Sequence, residues 1–189
     1  QLPDSTYSDR YRIAFEGVTH GGAGVCIDAV KIVEKGVIPK KIESVDFQQA
    51  SKDYIPSGSD NNSILRIDFN VSGNSGDLYL DSLAVKSLNT DDSDLKQNGV
   101  KLYATDDTTL SEKTLIGQST DFTGRTAIFD DLEYSLPYGV TSVWLTYDVK
   151  KDISHDSHQN ILDAKIESDA IKINNQPYPY DDHSPAGER

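Results

Sequence analysis

The chain has 189 residues, 18 of them Lys or Arg and 31 Asp or Glu, which gives a formal net charge of −13. That length suits one sizeable core plus a smaller element, and that charge repels a phosphate backbone, so nucleic acid is excluded as a partner. A membrane helix needs about 20 apolar residues, whereas the longest apolar runs here are short, as in Val143-Trp144-Leu145, so no membrane insertion is expected.

The chain opens at Gln1, with no basic segment followed by an apolar one, and is read as a fragment whose upstream sequence has been removed. Residues 1–36 form a unit of their own. Two apolar segments, Tyr11 to Phe15 and Val25 to Val33, are joined by Gly17, His20, Gly21, Gly22 and Gly24, a pattern that predicts a β-hairpin or strand pair with a glycine-rich connection. Cys26 is the single cysteine, so no internal disulfide forms. Between Val25 and Ile27 it reads as a small buried apolar residue rather than a reactive thiol. Residues 37–41, with Pro39, Gly36 and three lysines close by, read as a linker.

Strand signals dominate residues 42–189. Leu65, Ile67, Phe69 and Val71 alternate with Arg66, Asp68 and Asn70, the period-two pattern of a strand with one buried face. Leu78 and Leu80 mark a second strand. Val100 to Ala104, Thr126 to Phe129, Ser142 to Val149, Leu162 to Ile166 and Ala170 to Ile173 mark others. Ser72 to Gly76, Gln97-Asn98-Gly99 and Leu136-Pro137-Tyr138-Gly139 supply the residues that tight connections need. Thr-rich Asp107 to Lys113 reads as a loop. The expected fold is all-β, an antiparallel β-sandwich of Ig-like or jelly-roll-like character preceded by the N-terminal strand pair.

Tyr11-Arg12-Ile13-Ala14-Phe15-Glu16-Gly17 followed by Gly21-Gly22-Ala23-Gly24-Val25-Cys26-Ile27-Asp28-Ala29-Val30-Lys31-Ile32 resembles the closing strands of MAM-like, gingipain-type cleaved-adhesin jelly rolls. Val143-Trp144-Leu145-Thr146-Tyr147-Asp148-Val149, Leu162-Asp163-Ala164 and Ser184-Pro185-Ala186-Gly187-Glu188-Arg189 resemble the β-sandwich module at the N-terminus of BNR-repeat sialidases. These resemblances imply an extracellular, non-catalytic module of a multidomain cell-surface protein, exported by the type IX route and acting as an adhesive unit or spacer. The sequence holds no Ser-x-Asp-x-Gly-x-Thr-Trp propeller repeat, so sialidase chemistry is not carried over to it. A sialidase or protease whose catalytic domain lies elsewhere in the parent chain is the enzyme-linked alternative.

Candidate sites follow from residue chemistry. Asp91, Asp92, Asp94, Asp106, Asp107, Asp130, Asp131, Asp181 and Asp182 lie in turn-like segments, where Asx-turn geometry and solvation explain them without a catalytic pair. His155 and His158 lie together, apart from His20 and His183, and no further His or Cys pair completes a zinc set. Calcium is the candidate cofactor, with none as the alternative, because oxygen ligands stabilise extracellular sandwiches without disulfides. The jelly-roll resemblance points to Asp28 as its ligand, against the alternative of a solvent-facing strand residue. Trp144 alternates away from Val143, Leu145, Tyr147 and Val149 and is read as a structural Trp covered by a loop, with a glycan-stacking or partner-binding surface formed with Tyr134 and Tyr138 as the alternative. Asn61-Asn62-Ser63 and Asn70-Val71-Ser72 match the N-glycosylation pattern, and Asp81-Ser82-Leu83 resembles the O-glycosylation motif of type IX secreting bacteria.

Ile13, Phe15, Val25, Ile27, Val30 and Ile32 form the last candidate, an assembly strand. Leaving them exposed costs on the order of 10 kcal/mol at roughly 1.5–3 kcal/mol per large apolar side chain. They fold back on the sandwich, lie under upstream sequence, or insert into an identical subunit, the last of which builds a filament by strand donation. The expected partners are therefore other surface-protein domains or identical subunits, with glycans as ligands.

Overall fold

A computed structural model describes residues 36–118, 120–153 and 161–178. The described residues from Val37 onward belong to one unit, and the predicted N-terminal strand pair lies outside them. Eleven strands follow in chain order: β1 (Lys41–Gln49), β2 (Asn62–Ser72), β3 (Tyr79–Ser87), β4 (Leu95–Thr105), β5 (Thr114–Leu115), β6 (Thr126–Phe129), β7 (Tyr134–Ser135), β8 (Gly139–Val149), β9 (Ala164–Lys165), β10 (Ile171–Ile173) and β11 (Gln176–Pro177). Helix is limited among the described residues to one 3-10 turn, Asp92–Asp94.

The strands make two antiparallel sheets, so the expected all-β sandwich is the observed architecture. One sheet runs β1-β2-β8-β4-β5. The other is built around β3. Leu80 pairs with both Ile173 and Tyr134, and Lys86 with both Lys165 and Thr126, so β9 and β10 flank β3 on one side and β6 and β7 on the other. β11 continues outward from β10.

The alternation in β2 is realised: Leu65, Ile67, Phe69 and Val71 enter the core, each no more than 1 % exposed. At Ser63/Leu65 the register against β8 shifts, and this bulge lets consecutive Ile64 and Leu65 both be buried. A similar irregularity governs β3. Lys172 and Ile173 are adjacent, yet they oppose Ser82 and Leu80, which leaves Asp81 as the extra residue. Leu80 and Leu83 therefore reach the core together despite a spacing of three. The buried side chains of both sheets form one apolar cluster that includes Leu102, Phe129, Leu145 and Tyr147, each large side chain contributing about 1.5–3 kcal/mol.

Two local expectations change. Gln97-Asn98-Gly99 is not a connection between strands but lies within β4, where the register against β8 shifts between Leu95 and Val100 and Asn98 adopts a φ of 54°. The segment expected as a linker is tied to the sandwich. Ile38 donates its N–H to Asn74 Oδ1 at 2.8 Å and accepts from the N–H of Asn74 and Ser75, while the Lys40 N–H donates to the Ser75 carbonyl at 2.8 Å.

Gly73 makes this clamp possible. Its φ is +93°, and a Cβ there would lie 2.3 Å from the Pro39 carbonyl oxygen. Gly76 in the same turn has a φ of +78° with open space around it. Gly76→Ala is expected to cost about 1–2 kcal/mol, the left-handed penalty alone, and Gly73→Ala at least about 2 kcal/mol more by urea denaturation, since it must also displace backbone. Equal losses would show that the contact between Pro39 and the turn contributes nothing to stability.

Candidate functional site

The outward face of the five-stranded sheet gathers the chemically distinctive side chains. One row crosses all five strands, Gln48, Arg66, Trp144, Tyr103 and Leu115, each opposite the next. Outward residues of an antiparallel sheet ordinarily meet water. Here β8 is covered on both faces, every residue from Thr141 to Val149 being buried.

Arg66 provides much of the cover. Its guidinium carbon lies 5.4 Å from the centre of the Trp144 ring, a cation–π contact. Nε donates to Asp68 Oδ2 at 3.1 Å, Nη2 to Gln48 Oε1 at 2.6 Å and Nη1 to the Thr108 carbonyl at 3.2 Å. Asp68 takes a further hydrogen bond from Ser142 Oγ at 2.7 Å. Trp144 Nε1 donates to Thr105 Oγ1 at 2.9 Å, and that hydroxyl donates to the Asp107 carbonyl at 2.6 Å. The loop after β4 is thus strapped across the indole, which keeps 5 % of its surface exposed.

Tyr103 repeats the arrangement one strand over. Lys113 Nζ sits 4.4 Å above its ring, and its hydroxyl donates to Asn61 Oδ1 at 2.7 Å. The Asn61 N–H in turn donates to Asp148 Oδ1 at 2.6 Å, and Lys101 pairs with the other oxygen of that carboxylate. Burial lowers the pKa of Lys113, helped by the neighbouring charge of Lys101. Burial pulls on Lys101 as well, but its hydrogen bond to Asp148 and the carboxylate's charge prevail and raise it.

Trp144 is covered, as the sequence favours, and the three aromatic residues of the alternative stacking surface are not brought together. Trp144 lies under Arg66 on the five-stranded sheet, Tyr134 is half-buried in β7 of the other sheet, and Tyr138 is 67 % exposed in the turn before β8. Trp144 has no open ring face for a sugar, because Arg66 already occupies it. Asp107 to Lys113 reads as a loop, but its part in covering Trp144, and the parts of Arg66 and Tyr103, were not singled out from the sequence. Their only signal was the outward alternation of β2 and β4.

Other expectations fall as follows. Asp28, Ile13, Phe15, Val25, Ile27, Val30 and Ile32 lie outside the described residues, as do Cys26 and all four histidines. Asp91 and Asp107 serve as turn residues, accepting from the N–H groups of Ser93 and Thr109 at 2.9 and 2.8 Å. Ser82 is 7 % exposed in the middle of β3, so the Asp81-Ser82-Leu83 motif does not present its hydroxyl for O-glycosylation. Among the described residues no three His, Cys, Asp or Glu converge as a metal site. No protein-family model matches the chain, and no curated protein matches it.

Trp144 is the only tryptophan, so its fluorescence reports on this face alone. Arg66→Ala removes the fork that holds Asp68, whose side chain is 11 % exposed. The expected result is a loss of about 2–4 kcal/mol in urea with a red-shifted native emission, and Arg66→Lys should recover only part of both. Unchanged emission in Arg66→Ala would mean that the guanidinium does not cover the indole.

Proposed function

We propose that this chain is a non-catalytic β-sandwich module of an extracellular cell-surface protein, acting as a structural spacer or adhesive unit between other domains. The observation that carries this reading is the path of the chain through the sandwich. Ile38 to Lys40 are clamped to the β2–β3 turn, so β1 starts at that pole, Lys41 opposite Ser72. β11 pairs antiparallel with β10, and β10 antiparallel with β3, so β11 runs in the direction of β3, away from the entry pole. The Tyr178 N–H reaches the Ile171 carbonyl, level with Leu83, and the chain is still heading for the opposite pole. A unit whose first described strand starts at one pole and whose last described strand runs toward the other suits a spacer in a string of domains.

The filament reading, in which an N-terminal strand is donated to an identical subunit, makes a different prediction. Light scattering behind size-exclusion chromatography on the 189-residue protein should return one monomer mass over a hundredfold range of concentration. Regular fibres by negative stain would replace the spacer reading with strand donation, and turnover of sialosides or common glycosides would overturn the non-catalytic assignment.

A further inference from the structure

Among the described residues, the widest departure from one-to-one strand pairing lies in β4. Leu95 faces Val149 and Val100 faces Tyr147, so the four residues from Lys96 to Gly99 stand opposite Asp148 alone. Gln97 and Asn98, inside this bulge, are exposed. The bulge is tied down beside them: the Asn98 N–H donates to Asp121 Oδ1, and the Val100 and Thr120 backbones exchange N–H···O bonds at 3.1 and 3.0 Å. The Asn98 carboxamide takes part in no hydrogen bond among the described residues.

The shape of the bulge dictates the residues at its end. Asn98 has a φ of 54°, in the left-handed region that asparagine adopts more readily than most side chains. A Cβ at position 99 would lie 2.6 Å from the Lys96 carbonyl oxygen and 3.0 Å from that of Asp148, so the position requires glycine. Asn98 is the only asparagine of the chain that a glycine follows. Asparagine is a thermolabile residue, and glycine offers no side chain to hinder its main-chain nitrogen from reaching the carboxamide carbon before it.

We propose that Asn98 is a site of spontaneous deamidation in the folded protein. The Gly99 main-chain nitrogen gives its proton to solvent base and attacks Cγ of Asn98. The Cγ–Nδ2 bond breaks, the departing nitrogen takes a proton from water and leaves as ammonia, and a five-membered succinimide remains. Water then opens the ring, giving aspartate where the new bond from Gly99 nitrogen to Cγ breaks and isoaspartate where the original peptide bond breaks. Water enters and ammonia leaves, with no oxidant or reductant. Three features let the bulge reach the cyclic state without global unfolding. The carboxamide has no partner to lose, β8 does not oppose the bulge residue for residue, and leaving the left-handed conformation carries no intrinsic backbone penalty. Conversion places a second carboxylate beside Asp121, and isoaspartate also adds a methylene to the main chain where Asp121 holds it. The modification therefore loosens this end of β4 as the protein ages, and it does not rest on the spacer reading.

The test is to hold the 189-residue protein for several weeks at mildly alkaline pH, one sample folded and one in urea, with Trp144 emission confirming that the first stays folded. Trypsin cuts after Lys96 and Lys101 and isolates Gln97 to Lys101, in which Asn98 is the sole asparagine. Mass spectrometry then reads the exchange of amide for acid, and chromatography separates aspartate from isoaspartate. Both products are expected at position 98 of the folded protein, at a rate within about tenfold of that in urea, which corresponds to a local reorganisation of about 1.4 kcal/mol. Asn98→Gly suits the left-handed φ and should leave the protein folded and this peptide unchanged in mass. The proposal is overturned if the folded protein keeps the amide at position 98, or converts it more than about tenfold more slowly than the urea sample does.

Discussion

The sandwich depends on β8, a strand buried on both of its faces. Inward, Val143, Leu145, Tyr147 and Val149 enter the core between the sheets. Outward, Ser142, Trp144, Thr146 and Asp148 are also removed from water, which an antiparallel sheet in a single sandwich does not provide by topology alone. Cover has to come from side chains of the flanking strands. β2 contributes Arg66 and Asp68, and β4 contributes Lys101, Tyr103 and Thr105. The loop from Asp106 to Lys113 closes the remaining gap through backbone carbonyls at Thr108 and Asp107.

That cover explains how a chain with a net charge of −13 spends its few cations. Asp68 and Asp148 are the outward carboxylates nearest the centre of the sheet, and each meets a cation, Asp68 the Arg66 two positions away on its own strand and Asp148 the Lys101 of neighbouring β4. Leaving either buried without its partner costs several kcal/mol, so these two pairs are constraints on the fold rather than ornaments of its surface. The pairs at Lys41–Glu43 and Lys86–Glu167 are much more exposed, and such pairs are worth at most about 1 kcal/mol. The aromatic rings beneath Arg66 and Lys113 add contact area that a carboxylate alone does not supply.

Much of this architecture was legible in the sequence. β2 alternates from Leu65 to Val71 and β8 from Val143 to Val149, β6 coincides with Thr126–Phe129, and the Ser72–Gly76 turn falls where glycine and asparagine demand it. β3 was legible only at its start, because the extra residue at Asp81 puts Leu80 and Leu83 on one face and breaks the period of two on which strand recognition relies. Gln97-Asn98-Gly99 misled for a related reason: positive-φ residues serve a bulge as well as a turn, and only pairing with β8 distinguishes the two. The sequence favours a covered Trp144, but the cover itself was illegible for a different reason. It needs Arg66 and Tyr103, 78 and 41 positions away by their numbers in the sequence, placed opposite by register, and register is a property of three strands together.

The outward buried acids are each held from both flanking strands. Asp68 is bound by Arg66, Gln48 and Ser142, and Asp148 by Lys101 and the Asn61 N–H. Removing one partner strands a buried carboxylate, whereas replacing the acid and its partner together by apolar groups of similar shape need not destabilise the fold, so each acid and its cation are kept or lost as a unit.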